Sequence, residues 1–410
     1  MTDRDWQVSL WLYPWDAADE GVEAVVETAA TRAGANAFNL AVSYHSGMFL
    51  LPHNPRRKLY FPTPAIYFQP DATRYHGLRI QPRVHELADQ QVVAAVRRAT
   101  SARGMALNAW TVCLHNSDIG TRYPDVTNVN AFGDHHRPHL CPANPDVRAY
   151  ICALVGDLAQ RDFDAILVES LDYQLYTHGF HHEVTGVPLT PYVGYLLGLC
   201  FCDHCLAAAR EAGVDGAAVR RFARAELEAY FGGEDAVGRP AITWPEIRAL
   251  AGGELGAYQD MRIRVVAGLY QEVRATWPRG SGPDLEIIDF GPFRPLGWDG
   301  CAEASGLDLR AVGAEVNGAH PCLYFTAASQ VAEQAELYRQ KAPDHWAISA
   351  AIRAIPPQVI DEAGLTAQVR ASGPSWVAGY SFYNYGFMRL PTLDWIRHAL
   401  EAARGAEVTP

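Results

Sequence analysis

No stretch of the 410-residue chain approaches the eighteen or so uninterrupted apolar residues that a membrane-spanning helix requires. The start, MTDRDWQVSLWLYPW, lacks the basic region, apolar run and small-residue cleavage site of a secretory signal. A soluble, cytoplasmic protein without a membrane partner is therefore expected. A basic block is missing too: 34 lysines and arginines stand against 46 acidic residues, a formal net charge of −12. Such a chain repels the phosphate backbone of a nucleic acid, so a neutral or small molecule is the expected partner. Internal repeats and low-complexity tracts are absent beyond an alternation of strand-like and helix-like segments. Oligomeric state is left open, a homo-oligomer being compatible with the composition.

What is present is ample material for a core, since 49% of the residues are hydrophobic. Short β-branched or aromatic runs recur at 7–15, 37–45, 105–115, 164–173, 284–292, 320–327, 345–354 and 376–386. Between them lie helical periods. Ile151, Leu154, Val155 and Leu158 follow the i, i+3, i+4, i+7 spacing; Met261, Val265, Leu269 and Val273 step by four; and PTLDWIRHALEAARG forms a last helix. Eight such βα repeats predict an α/β fold, a (β/α)8 TIM barrel in a single domain over 1–410, with a doubly wound open sheet as the alternative. Barrels of this kind carry function on the loops after the strands. Two are long: 46–86 after the second strand, and 174–255 after the fourth, a helical insertion that carries a cysteine cluster.

That cluster, GLCFCDHC, sets Cys200, Cys202 and Cys205 at C-x-C-x2-C spacing. Cysteines in a cytoplasmic setting are buried, catalytic or metal-binding more often than disulfide-bonded. Three thiolates on one turn need a single further ligand for a tetrahedral Zn²⁺. Loops after neighbouring barrel strands lie side by side, so Cys141, in HLCPANPDVRAY after the third strand, is the expected fourth ligand, with His204 as competitor. A closed all-cysteine site keeps no position for water, so this zinc would be structural.

The order LCPANPDVRAY, helix, strand ending in Glu169, then LCFCDHC resembles the catalytic barrel of glycoside hydrolase family 42 β-galactosidases, or a related glycosidase-like barrel. The resemblance spans roughly 105–210. It implies a structural zinc held by four cysteines and makes Glu169, in ILVESLDY, the general acid/base. Two positions depart from the family pattern. Val168 stands where the family has an asparagine before the acid/base, and HWAISAAIRAI ends in Arg353 where the family has a nucleophilic glutamate on the seventh strand.

Glycoside cleavage calls for one carboxyl group protonated near neutral pH and a second, ionised one. Asp289, at the end of the fifth strand and adjacent to Glu169 around the barrel, is the expected partner, with Asp172 and Glu183 as rivals. Tyr44, His45, Trp110, His115, Asn116, Tyr383 and Asn384 also end strands, and offer donors, acceptors and stacking faces to a polyhydroxylated ligand. Asp172, His178, Glu183 and Arg353 join them as substrate-binding candidates. His178, His181, His182 and Glu183 could alternatively ligate a second metal. The expectation is a glycosidase-like enzyme acting on a small saccharide or glycoside. Its rivals are a carbohydrate-binding barrel without hydrolysis and a metal-dependent sugar lyase or isomerase.

Overall fold

The computed structural model describes residues 6–176, 186–291 and 302–406. Eight parallel strands form its centre: β1 (Gln7–Leu12), β2 (Ala37–Tyr44), β3 (Ala106–Val112), β4 (Ala165–Glu169), β5 (Asp284–Asp289), β6 (Gly318–Pro321), β7 (Ala347–Arg353) and β8 (Gly379–Tyr383). Each pairs with its sequence neighbours. β1 closes the ring by pairing with β2 from Ser9↔Ala37 to Leu12↔Leu40 and with β8 from Gln7↔Gly379 to Leu10↔Phe382. The sheet is therefore a (β/α)8 barrel and the doubly wound alternative is excluded.

All eight strand readings fall on real strands, but several run too far. β1 stops at Leu12 because Pro14 opens helix α1 (Pro14–Glu20), its fixed φ suiting a first helical turn. The helical layer continues with α2 (Val92–Ser101), α3 (Pro145–Leu158), α4 (Pro191–Gly198), α5 (Asp203–Glu211), α6 (Gly216–Phe231), α7 (Glu254–Arg274), α8 (Ala328–Lys341), α9 (Glu362–Ala371) and α10 (Leu390–Ala406). The segment LCPANPDVRAY is a loop feeding α3: Asn144 Oδ1 accepts from the backbone N–H groups of Asp146 and Val147, with Pro145 in the first turn. Between β5 and β6 the described residues hold only a 3-10 turn, Ala302–Ser305, in place of a full helix. Gly306, at φ +83°, lies so close to the Arg262 carbonyl of α7 that a Cβ there would sit 3.1 Å from it.

Helices α4, α5 and α6 lie between β4 and β5 and build a second apolar cluster around Tyr192, Leu196, Phe201, Leu227 and Tyr258. Helix α7 joins it to the barrel: Leu255, Tyr258 and Met261 pack into that cluster, while Val266, Leu269 and Val273 pack into the barrel core. Among the described residues no single helix is long and apolar enough to cross a membrane.

Strand alternation decides what enters the barrel. Ser9, Asn39 and Asn108 share an inner layer, joined by Asn39 Nδ2 to Ser9 Oγ at 3.1 Å and Asn108 Nδ2 to Asn39 Oδ1 at 2.9 Å. Across from them His320 lies 2.7 Å from Glu286 Oε2 and 3.1 Å from Ser381 Oγ. These buried polar groups pair with one another, as a low-dielectric interior favours, with Asn108 Oδ1 left over. Above them stand Trp11 and Trp110, edge to face at 4.8 Å. On β2 the alternation is broken by a bulge between Ala41 and Ser43, which shifts the phase by one residue. Ser43 is thereby turned outward to the Val112 carbonyl, and Tyr44 enters the barrel.

Strand crowding is tightest at glycines. A methyl group at Gly379 would run into the Gln7 carbonyl across the β1–β8 seam. Gly379→Ala should cost roughly 1–3 kcal/mol through overpacking. Thermal unfolding followed by circular dichroism checks it, and an unchanged melting temperature would mean that the seam is looser than described.

Candidate active site

Glu169 is the last residue of β4 and points into the barrel, in register with Val112 on β3 and Ile288 on β5. It is 4% exposed, and its Oε2 accepts from the Trp110 indole N–H at 2.6 Å. Around this bond stands an aromatic wall. Trp110 meets Tyr13 at 5.3 Å, Tyr44 at 4.8 Å and Tyr383 at 6.2 Å. The Tyr13 hydroxyl donates to Tyr44 at 2.7 Å and lies 3.0 Å from that of Tyr383. Burial pushes all three phenols above their ordinary range, so they remain neutral donors. Phe49, from a small hairpin in the long loop after β2, stacks on Tyr13 at 5.4 Å, and Phe387 flanks Tyr383 at 5.7 Å.

Burial also sets the chemistry of the carboxyl group. Removing Glu169 from water disfavours its ionised form and pushes its pKa up from 4.5 to about 7, against the opposing pull of the Trp110 hydrogen bond. A carboxyl group so poised can give or take a proton near neutral pH.

Arg353 ends β7 in register with Tyr383 on β8, so both side chains face inward. His45 and His115 extend the wall outward. His45 stacks on Tyr44 at 4.2 Å and on His115 at 4.3 Å, and His115 pairs through its backbone with His139. His136 follows, 5.4 Å from His139 and 5.8 Å from Tyr176.

The structure thus brings Glu169, Tyr44, His45, Trp110, His115, Arg353 and Tyr383 to one end of the barrel. Other candidates lie elsewhere. Asp289 is the correction that matters most. Its neighbour Ile288 pairs with Glu169 on the inner face, so Asp289 faces the helices. There it is 1% exposed, accepts from the Gly291 N–H at 2.6 Å, and lies close enough to Tyr270 on α7 and Tyr338 on α8 for its charge to raise both phenols further. Asp172 accepts from the Ser305 hydroxyl and from Gln174 Nε2, which ties the loop after β4 to the turn before β6. Asn116 caps the short helix Ser117–Arg122 by accepting from the Ile119 N–H, and Asn384 accepts from the Gly386 N–H. Each has a structural task. His178, His181, His182 and Glu183 lie outside the described residues.

Tyr13, Trp11 and Tyr324, whose ring lies 6.0 Å from that of Tyr383, are wall residues that the sequence reading does not single out. Tyr13 carried the same signal as Tyr44 and Tyr383, a tyrosine closing a strand in QVSLWLYPW. His136 and His139 gave none, because the hairpin Thr127–Val129/His135–Leu140 that presents them is a loop excursion outside the barrel repeat.

The four thiols form a separate centre. Cys141, Cys200, Cys202 and Cys205 are buried with sulfurs all within 4.8 Å of one another, Cys141 lying 3.5 Å from both Cys202 and Cys205 and 3.9 Å from Cys200. The edge of a tetrahedron with metal–sulfur bonds of about 2.3 Å is about 3.8 Å, so the set could hold a metal ion. The Val129 N–H reaches Cys200 Sγ at 3.3 Å and the Tyr173 hydroxyl lies 3.3 Å from Cys205 Sγ, the outer contacts that orient thiolate ligands. His204, the competing ligand, is exposed on the other side of α5's first turn.

No family model and no curated protein sequence matches the chain. Solved structures do share its fold, glycoside hydrolases among them. The catalytic domain of β-amylase from Paenibacillus polymyxa superposes with a TM-score of 0.57 at 11% identity, over 100% of each chain. A β-galactosidase from the psychrophilic Marinomonas ef1 gives 0.55 at 13% identity over 98% of this chain, and α-L-fucosidase isoenzyme 2 from Paenibacillus thiaminolyticus gives 0.55 at 10% over 98%. The chain spans 60% of that galactosidase and 50% of that fucosidase.

A raised pKa has a consequence for stability. A carboxyl group at about 7 in the fold and near 4.5 when unfolded contributes stability below pH 4.5, which is lost as pH rises through 7. Glu169→Gln lacks that titration. From pH 4 to pH 8, denaturant unfolding should move in favour of the variant by about 3 kcal/mol. A difference independent of pH would contradict the burial account.

Proposed function

We propose that the protein is a glycosidase-like hydrolase of a small saccharide or glycoside, in which Glu169 protonates the departing glycosidic oxygen. The observation that carries this reading is a buried carboxyl group with a pKa near 7, held by Trp110 at the C-terminal end of a barrel strand and walled by tyrosines. Leaving-group protonation requires such a group, and aromatic faces and neutral hydroxyls suit a sugar ring. The resemblance of LCPANPDVRAY, ILVES and LCFCDHC to family 42, and a fold shared with glycoside hydrolases, support the same assignment. On this reading 1–410 is one catalytic domain and 174–255 an insertion bearing three of the four thiols.

A second reading, a carbohydrate-binding barrel without hydrolysis, is favoured by one specific observation. Among the described residues no carboxylate neighbour shifts the Glu169 titration, and Asp289 faces the helices. Screening aryl glycosides separates the two: turnover supports the hydrolase, and saturable binding without turnover supports the rival. Within the first reading, Glu169→Gln should lower turnover by about 10²–10⁴-fold while leaving ligand binding largely intact. A loss under tenfold would remove Glu169 from the proton-transfer role.

For the thiol centre we infer a structural zinc, with Cys141, Cys200, Cys202 and Cys205 as ligands. When bound it would supply no chemistry at Glu169; the cysteines tie the loop after β3 to α5. Elemental analysis should find one zinc per chain, and Cys202→Ala should lose the metal and lower the melting temperature substantially. A metal-free protein, or a variant that melts like the parent, would refute the assignment.

A further inference from the structure

Where the family resemblance leads one to expect a carboxylate, the seventh strand delivers a guanidinium. Arg353 is half-buried, inward-facing and in register with Tyr383. Its Nε is buried with no hydrogen-bond partner among the described residues, and no ion pair joins it to a carboxylate there. The more deeply buried arginines bond protein acceptors through Nη1. Arg262 bonds Gln259 Oε1 at 2.7 Å and the Ala304 carbonyl at 3.0 Å over the Tyr173 ring, and Arg274 bonds the Trp277 carbonyl at 2.9 Å. Both lie in the helical layer. Arg262 Nε is without a partner as well, but both of these arginines hold protein acceptors through Nη1, whereas Arg353, at the open end of the barrel, has no side-chain hydrogen bond among the described residues.

A guanidinium keeps its charge, and a partly desolvated charge left without an anion costs stability that a ligand can restore. The groups around it cannot neutralise it. Tyr13, Tyr44 and Tyr383 are kept in their neutral forms by burial, and Glu169 is only partly ionised near pH 7. The charges of Arg353 and Glu169 act on Tyr383 in opposite senses, so this phenol stands beside both. A ligand long enough to present one group to Glu169 and another to Arg353 lies across Tyr383. The protein's net charge of −12 gives no general attraction for anions, so one that binds is gathered locally.

We propose that Arg353 is a specificity-determining residue that receives a carboxylate of the substrate, so that the enzyme acts on uronic-acid glycosides in preference to neutral hexosides. The proposal rests on the hydrolase reading above and deepens it. A single guanidinium matches one negative charge. The planar carboxylate fits its fork through two parallel N–H···O bonds, and one of these would use the orphaned Nε. A phosphate dianion would leave one charge uncompensated.

The test uses p-nitrophenyl glycosides in pairs that differ only at C6, hexuronide against hexoside, in glucose and galactose series and both anomers. A 6-sulfated hexoside is added to each set. The parent should favour a hexuronide over its neutral partner by at least tenfold in kcat/KM. Arg353→Met should reduce that ratio at least tenfold, and Arg353→Lys, which keeps the charge without the fork, should fall between. Preference for the neutral member, or a ratio unchanged in Arg353→Met, overturns the proposal; preference for the sulfated member overturns the carboxylate assignment. Calorimetric titration with glucuronate, galacturonate, glucose and galactose keeps the two readings apart. Uronate binding that is lost in Arg353→Met, without turnover of any aryl glycoside, would uphold Arg353 and sink hydrolysis. No uronate preference in either assay sinks the role of Arg353.

Discussion

The hydrogen bond from the Trp110 indole to Glu169 is the interaction on which the rest of the site depends. A carboxyl group placed among aromatic rings at the top of a filled barrel loses most of its hydration, and one N–H donor returns only part of it. The balance leaves a proton that moves near neutral pH. Trp110 is held in turn by Trp11 and Tyr13 at the end of β1 and by Tyr44 at the end of β2. The inner polar layers beneath give these rings a floor that cannot collapse without leaving buried groups unpaired.

The loop after β4 links this centre to the thiol cluster. Chain leaving Glu169 turns at Ser170, with φ +57°, is tied at Asp172 to Ser305 and Gln174, and reaches the cluster where the Tyr173 hydroxyl lies 3.3 Å from Cys205. Four residues after the carboxyl group the chain is thus anchored to elements far away in sequence, to Cys205 through the Tyr173 hydroxyl and to the Ser305 carbonyl through the Tyr173 N–H. An anchor so close leaves the chain beside Glu169 little room to move.

Most of the fold was legible in the sequence, because eight apolar runs separated by helical periods leave few alternatives to a closed barrel. Strand ends were less so: Pro14 and Pro321 mark them chemically, but the hydrophobic runs continue past them into loops that also pack inward. Proximity to a strand end is enough to place Glu169, Trp110 and Tyr383 together at one end of the barrel. It failed where the argument needed the face. Asp289 is one residue from an inward position, and in a strand one residue reverses the direction of the side chain. Tyr44 would have failed by the same reasoning, had the bulge before Ser43 not restored it. Cys141 was legible because neighbouring loops meet. The 3-10 turn that stands between β5 and β6 among the described residues was not, since βα periodicity gave no warning of it.

The most direct measurement of the central claim is a pH titration of the Glu169 carboxyl group itself, by difference infrared spectroscopy of the parent against Glu169→Gln. The account predicts a protonated carboxyl signal that is lost with a midpoint near pH 7. A midpoint near 4.5, the value of an ordinary glutamate, would contradict it: Glu169 would then be solvated and fully ionised at neutral pH, and it could not serve as the acid of this site.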